Sequence, residues 1–287
     1  MVYLPIIGSI LEATGSTLEK MLMKRKDINY RNYTVYGFLG IVIVMLPFIF
    51  FFWKVDSEAR VLKNLLLFFF VIVIAGCANI CTYYSLKRKS LSVLEPVRLM
   101  QPLFTILLAV LFFSSERRYS IVALALIASI ALIAAHIKKH HFCFDKYIIA
   151  ALLGSLFFAI ELVASKPILQ FYNPFSFYFL RCLMIFLVTL VILRPKTNIN
   201  NKSKWIILLI SAVWVFYRLI LYYGYEIYGI VFTTILFILT PIFVYIFAVI
   251  FLKEKITLKQ IISSIIILVC VVIAMIIEGL KEDFRLT

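Results

Sequence analysis

The chain has 287 residues, 64% of them hydrophobic and 15% charged, with a mean hydropathy of +1.06. Soluble domains hold roughly 45–50% apolar and 25% charged residues, so the composition excludes a soluble globular protein and points to an integral membrane protein. The net charge of +15 falls mostly in short segments between apolar runs, which suits loops against anionic lipid and not a nucleic-acid surface.

Apolar runs of about 20 residues predict ten membrane spans, at 2–23, 34–53, 62–86, 91–113, 119–138, 147–166, 175–194, 204–226, 229–252 and 257–278. The fold class expected is therefore all-α, integral to the membrane. The first span contains SILEATGSTLEK (Ser9–Lys20), which puts Glu12 near mid-helix. A charge at that depth costs about 2.5–3.5 kcal/mol, so it needs a use or a partner. The run has no basic n-region and no small-residue cleavage site, and no cleavable signal peptide is expected. In the fourth span Glu95 and Arg98 stand three apart, on one face where they can pair. Pro96 stands between them and Pro102 one turn on, and these should bend or break the helix, as should Pro241 in the ninth span. Irregular backbone at depth is tolerated where it lines a cavity or is buried in protein. Arg181 follows NPFSFYFL near a helix start, where it can snorkel to the interface. On the eighth span Trp214, Arg218, Leu221, Tyr222 and Tyr225 form one stripe, with Tyr217 beside it. Lys20 and Lys166 read first as anchors near helix ends, and Glu116 and Glu254 as residues that fix tight turns.

The two halves resemble each other. GSILEATGSTLEK (Gly8–Lys20) lies over GSLFFAIELVASK (Gly154–Lys166). YYSLKRKSLSVLEPVRLMQPLF (Tyr83–Phe104) lies over YYGYEIYGIVFTTILFILTPIF (Tyr222–Phe243) without a gap. This predicts two repeats, 1–143 and 144–287, of five spans each. An odd number of spans turns the second copy upside down in the membrane, and inverted repeats are the common build of secondary transporters.

PLFTILLAVLFFSSERRYS and PIFVYIFAVIFLKEKITLKQ in matching places, within a five-plus-five arrangement, resemble the EamA branch of the drug/metabolite transporter superfamily. The first helix, read as E-x-x-G-S-T-L-x-K from Glu12, also resembles that of the small multidrug resistance proteins. There the glutamate binds protons and cationic substrates in turn, and the resemblance implies such a role for Glu12. The second repeat has Phe158 where the first has Glu12, and its acid, Glu161, aligns with Gly15.

Of the 29 Lys and Arg residues, 26 fall at helix ends or in loops, which leaves Arg98, Arg181 and Arg218 inside spans. The acids away from span edges are Glu12, Glu95 and Glu161. The expected substrate or coupling residues are Glu12, Glu95, Arg98, Asn79, Trp214, Tyr217, Arg218 and Tyr222, with Pro96, Pro102 and Pro241 as hinges. Asn79 aligns with Arg218, so both halves put a polar group at one depth. A guanidinium flanked by Trp and Tyr suits a carboxylate or phosphate; equally, Arg218 could lock two helices by pairing with Glu95 or Glu12.

The five cysteines show no metal-binding spacing. His136, His140 and His141 stand among lysines that repel a cation, so no metal and no cofactor is expected. With helix-end residues included, basic residues number 18 around the loops after odd-numbered spans and 8 around those after even-numbered spans together with the C-terminal tail, a bias that by itself puts the odd loops in the cytoplasm. Many ten-helix relatives have both termini inside, so the two arguments conflict; they agree that the termini share a side. The expected function is a multi-pass transporter in the cell membrane, a monomer or homodimer. It would move a small organic metabolite or drug, amino-acid-like or amphipathic, by alternating access, with proton-coupled export or facilitated diffusion both open. No enzyme activity is expected. Three competing readings are a flippase for a lipid-linked sugar or phosphate, a membrane enzyme built on the His cluster, and a purely structural partner.

Overall fold

The computed structural model describes residues 3–88, 94, 97–136, 145–195, 199–252 and 258–286. Among these the chain is helical, with no strand and one isolated antiparallel bridge between Val55 and Tyr172. The helices are α1 (Tyr3–Met23), α2 (Tyr30–Met45), α3 (Leu62–Arg88), α4 (Met100–Phe112), α5 (Tyr119–His136) and α6 (Lys146–Ile168). They continue with α7 (Pro174–Leu193), α8 (Asn201–Ile227), α9 (Ile230–Phe237), α10 (Thr240–Leu252) and α11 (Leu258–Leu286). α2 runs on to Phe52 through a tighter turn at Leu46–Phe48, where Pro47 removes a backbone donor.

Among the described residues, six segments are long and apolar enough to cross a membrane: Tyr30–Phe52, Leu62–Arg88, Lys146–Ile168, Pro174–Leu193, Asn201–Ile227 and Ile230–Phe247. Met100–Phe112, Tyr119–Ala134 and Ile261–Ile277 are apolar but shorter. The polar breaks supply the helix starts. Asn29, Asp145, Asn173 and Asn200 each accept a hydrogen bond from a first-turn backbone N–H of α2, α6, α7 and α8.

α3 packs on α6, α1 on α8, α2 on α7 and α8, α4 on α6, and α5 on α11. Small residues let these helices approach. A Cβ on Gly40 would stand 2.4 Å from Ser211 Oγ, and one on Gly154 2.6 Å from Thr82 Oγ1. Large apolar side chains face outward, with Phe50 90% and Phe51 81% exposed. In water such a surface would drive association; in lipid it is the matched solvent.

Two ends of the bundle follow from chain direction. At one, α1 and α3 finish while α2 and α8 begin. At the other, the segment after α2 meets the segment after α6. There Asp56 N donates to Phe171 O at 2.9 Å, Asn173 Nδ2 to Phe52 O at 2.7 Å and Lys54 N to Ser176 Oγ at 2.8 Å.

Candidate functional site: a charged cavity among apolar helices

A cavity of about 80 Å³ opens inside the bundle, several times the roughly 10–15 Å³ that one water needs. Glu12, Glu19, Asn79, Arg98, Arg181, Trp214, Tyr217 and Arg218 are among the residues that line it. Its walls come from the middle and late part of α1, early α2, late α3, Arg98 and Gln101, the middle of α6, early α7 and the middle of α8, so it runs from the level of Arg181 toward the end where α1 finishes.

The helix breaks sit beside it. α9 stops at Phe237 and α10 resumes at Thr240, one residue before Pro241; Arg98 is helical, Leu99 is a turn, and α4 starts at Met100, two residues before Pro102. Proline fits the first turn of a helix, where its missing N–H needs no partner, so each proline restarts a helix. A serine on a neighbouring helix satisfies a carbonyl beside each break: Ser9 Oγ donates to Leu236 O at 3.2 Å, and Ser155 Oγ to Val97 O at 3.1 Å. Glu12 belongs to the same junction, since Thr240 Oγ1 donates to its Oε2 at 2.7 Å.

Glu19 was not singled out in the sequence, because it stands beside Lys20 near the expected end of the first span. It is only 4% exposed. Its Oε1 accepts hydrogen bonds from Tyr33 Oη (2.7 Å), Trp214 Nε1 (2.9 Å) and Tyr83 Oη (3.3 Å). The rings crowd together, Tyr33 edge-on to Tyr83 at 4.8 Å and Trp214 edge-on to Tyr217 at 5.1 Å between centroids.

Toward the other end lies a second cluster around Glu161, which is 0% exposed. Tyr222 Oη donates to its Oε1 at 3.0 Å and Arg218 Nη1 to its Oε2 at 3.5 Å. Arg181 Nη2 stands 3.1 Å from Oε1 as an ion pair by distance, without hydrogen-bond alignment. The rings of Phe158, Tyr217 and Tyr222 lie 5.7–6.0 Å from the Arg218 guanidinium carbon. One carboxylate thus faces two guanidiniums, a net positive charge that a buried site holds only at considerable desolvation cost.

Glu116 forms a third junction. Its carboxylate pairs with Lys166 of α6 and accepts the first two N–H groups of α9, from Ile230 at 2.9 Å and Val231 at 3.0 Å. Gly229, with φ of 87°, sits against it, and a Cβ there would come within 2.7 Å of Oε1.

Several expectations change against these positions. Arg181 does not snorkel to the interface; it is 1% exposed and faces Glu161 from inside. Arg218 pairs with Glu161 and not with Glu12. Tyr222 is fully buried and turned to Glu161 instead of lining the cavity. Asn79 does line it, with its Nδ2 donating to Ala75 O at 2.8 Å. Lys166 is more than an anchor, and Glu116 caps the next-but-four helix instead of only its own turn. Glu95, Pro96, His140, His141 and Glu254 lie outside the described residues.

No curated protein is significantly similar to this chain in sequence. A crystal structure described only as that of a protein shares the fold, with a TM-score of 0.74 at 15% identity, covering 96% of each chain. Residues 1–136 and 145–276 match the model of the EamA-like transporter family.

Proposed function

The chain belongs to the EamA-like transporter family, and from that premise we propose that it moves a small, amino-acid-like organic molecule across the membrane by alternating access. It is an integral membrane transporter of the drug/metabolite type. The observation that carries the finer reading is the cavity itself, where Glu12, Glu19, Arg98, Arg181 and Arg218 gather inside an apolar bundle. Ionisable side chains at depth mark substrate and ion pathways, and both signs together suit a substrate that carries both.

Alternating access rests on two inverted five-helix repeats, counting α9 and α10 as one broken ninth span and α11 as the tenth. Helix packing supports this. α1 on α8 answers α6 on α3, α2 on α8 answers α7 on α3, and α4 on α6 answers α9–α10 on α1. The hydrogen bonds Ser9–Leu236 and Ser155–Val97 obey the same exchange, at positions the sequence alignment already paired. The cavity extends toward one end of the bundle while Glu116, Lys166 and the Val55–Tyr172 contact close the other, as one end-state of a rocking pair of repeats would.

Glu12 is the proposed coupling residue. It binds Thr240 at the start of α10, so a proton or a cation exchanged there acts on a helix break. The test is flux into liposomes of a panel of amino acids and amines, with and without a pH gradient, for wild type and Glu12→Gln. Gradient-driven accumulation by the wild type and its loss in the variant are expected. Unchanged gradient-driven flux in Glu12→Gln would remove the coupling role, and no flux of any compound through the wild type would remove the transport reading.

A further inference from the structure

The three hydrogen bonds on Glu19 all fall on one oxygen. Oε1 takes Tyr33, Trp214 and Tyr83, and Oε2 takes none among the described residues. Such a grip fixes the plane of the carboxyl from α2, α3 and α8 at once and leaves its second oxygen open. The residue also lines the cavity, so the open oxygen has polar space beside it. Around it stand two tyrosines and one tryptophan, which turn their polar edges to Oε1 and exclude water from it, and aromatic side chains are favourable neighbours for a cation. A fixed carboxylate in an aromatic surround is the arrangement that recognises an organic ammonium group.

Arg98 lines the same cavity and makes no ion pair or hydrogen bond to another described residue. The remaining cavity guanidiniums, Arg181 and Arg218, are engaged by Glu161, and Glu12 is engaged by Thr240. Neither Glu12 nor Glu19 is in an ion pair among the described residues, but Glu19 is the one whose carboxyl three donors from three other helices hold in place beside the cavity, with Arg98 as its base.

We propose that Glu19, held by Tyr33, Tyr83 and Trp214, is the binding residue for the substrate's ammonium group, with Arg98 taking its anionic end. This rests on the transport reading above and divides its labour: Glu19 selects the cation and Glu12 serves the helix break. A residue that merely tied α1 to its neighbours would be indifferent to the charge of the ligand, whereas a binding residue must discriminate by it.

The experiment uses the full chain in lipid nanodiscs and equilibrium binding of three matched compounds: leucine, isoamylamine (ammonium only) and isocaproate (carboxylate only). In the wild type leucine should bind at least about tenfold more tightly than isocaproate, the scale of one charge-assisted hydrogen bond. Glu19→Gln should lose that preference and its hold on isoamylamine while keeping isocaproate. Arg98→Gln should do the reverse, and Glu19→Asp should retain part of the ammonium preference. The wild-type comparison needs no variant, so a fold lost in Glu19→Gln does not rescue the idea. Equal binding of leucine and isocaproate by the wild type would overturn it, as would an ammonium preference that survives Glu19→Gln or the absence of binding of all three at millimolar concentration. Flux that persists in liposomes alongside any of those results would leave the transporter reading standing and this assignment alone refuted.

Discussion

Replacing Glu116 with alanine removes three contacts at once, because its carboxylate pairs with Lys166 and caps α9 through Ile230 N and Val231 N. Losing a helix cap costs about 0.5–2 kcal/mol. Removing one partner of a buried ion pair costs about 3–5 kcal/mol, but the Lys166 side chain is 22% exposed and can turn to water, so only a fraction applies. The expected loss is about 2–4 kcal/mol of stability, with Glu116→Gln losing less because one acceptor oxygen survives. Reversible unfolding in mixed micelles measures it. A double-mutant cycle with Lys166→Met isolates the ion pair, with a coupling of about 0.5 kcal/mol or more expected for residues in contact. If Glu116→Ala stays within about 0.5 kcal/mol of wild type, as an ordinary surface substitution would, the three contacts do not hold the bundle as described.

Glu161→Leu leaves Arg181 and Arg218 buried without their anion, and should destabilise the protein by about 3–5 kcal/mol. Adding Arg181→Met should recover part of that loss in the same unfolding assay, and a further loss would contradict the pairing. Asp27, in the segment between α1 and α2, is held below the usual carboxylate range, chiefly by the Ser203 hydroxyl that donates to its Oδ2 at 2.6 Å. Its folded form resists protonation more than its unfolded form. Its small contribution is therefore full above the unfolded value of about 3.9 and disappears as pH falls through the folded one. Stability measured against pH should lose that acid-side decline in Asp27→Asn.

The membrane class and the family were legible because hydropathy and two proline-marked segments are local signals. The likeness of the two halves in sequence has a structural counterpart at Gly8-Ser9 and Gly154-Ser155. Those glycines sit at close contacts, and those serines hydrogen-bond to carbonyls beside the two helix breaks. The site was legible only in part. Glu12, Arg98, Trp214, Tyr217 and Arg218 announced themselves as polar or aromatic residues inside apolar runs, and all line the cavity. Glu19 did not, because an acid beside a lysine at a helix end is indistinguishable in sequence from a solvated pair. Its burial comes from Tyr33, Tyr83 and Trp214 on three other helices. Arg181 misled for the complementary reason. Its place near a helix start suggested the interface, while its distant partner Glu161 keeps it inside.

Alternating access is tested most directly at Thr34, which lines the cavity. A Thr34→Cys protein with the five native cysteines replaced by serine is placed in liposomes and treated with an impermeant thiol reagent from each side in turn. The account predicts labelling from the face at which α1 finishes, and labelling from the opposite face that rises when Glu116→Ala is added. Labelling from one face alone in both proteins, or from neither, would contradict it.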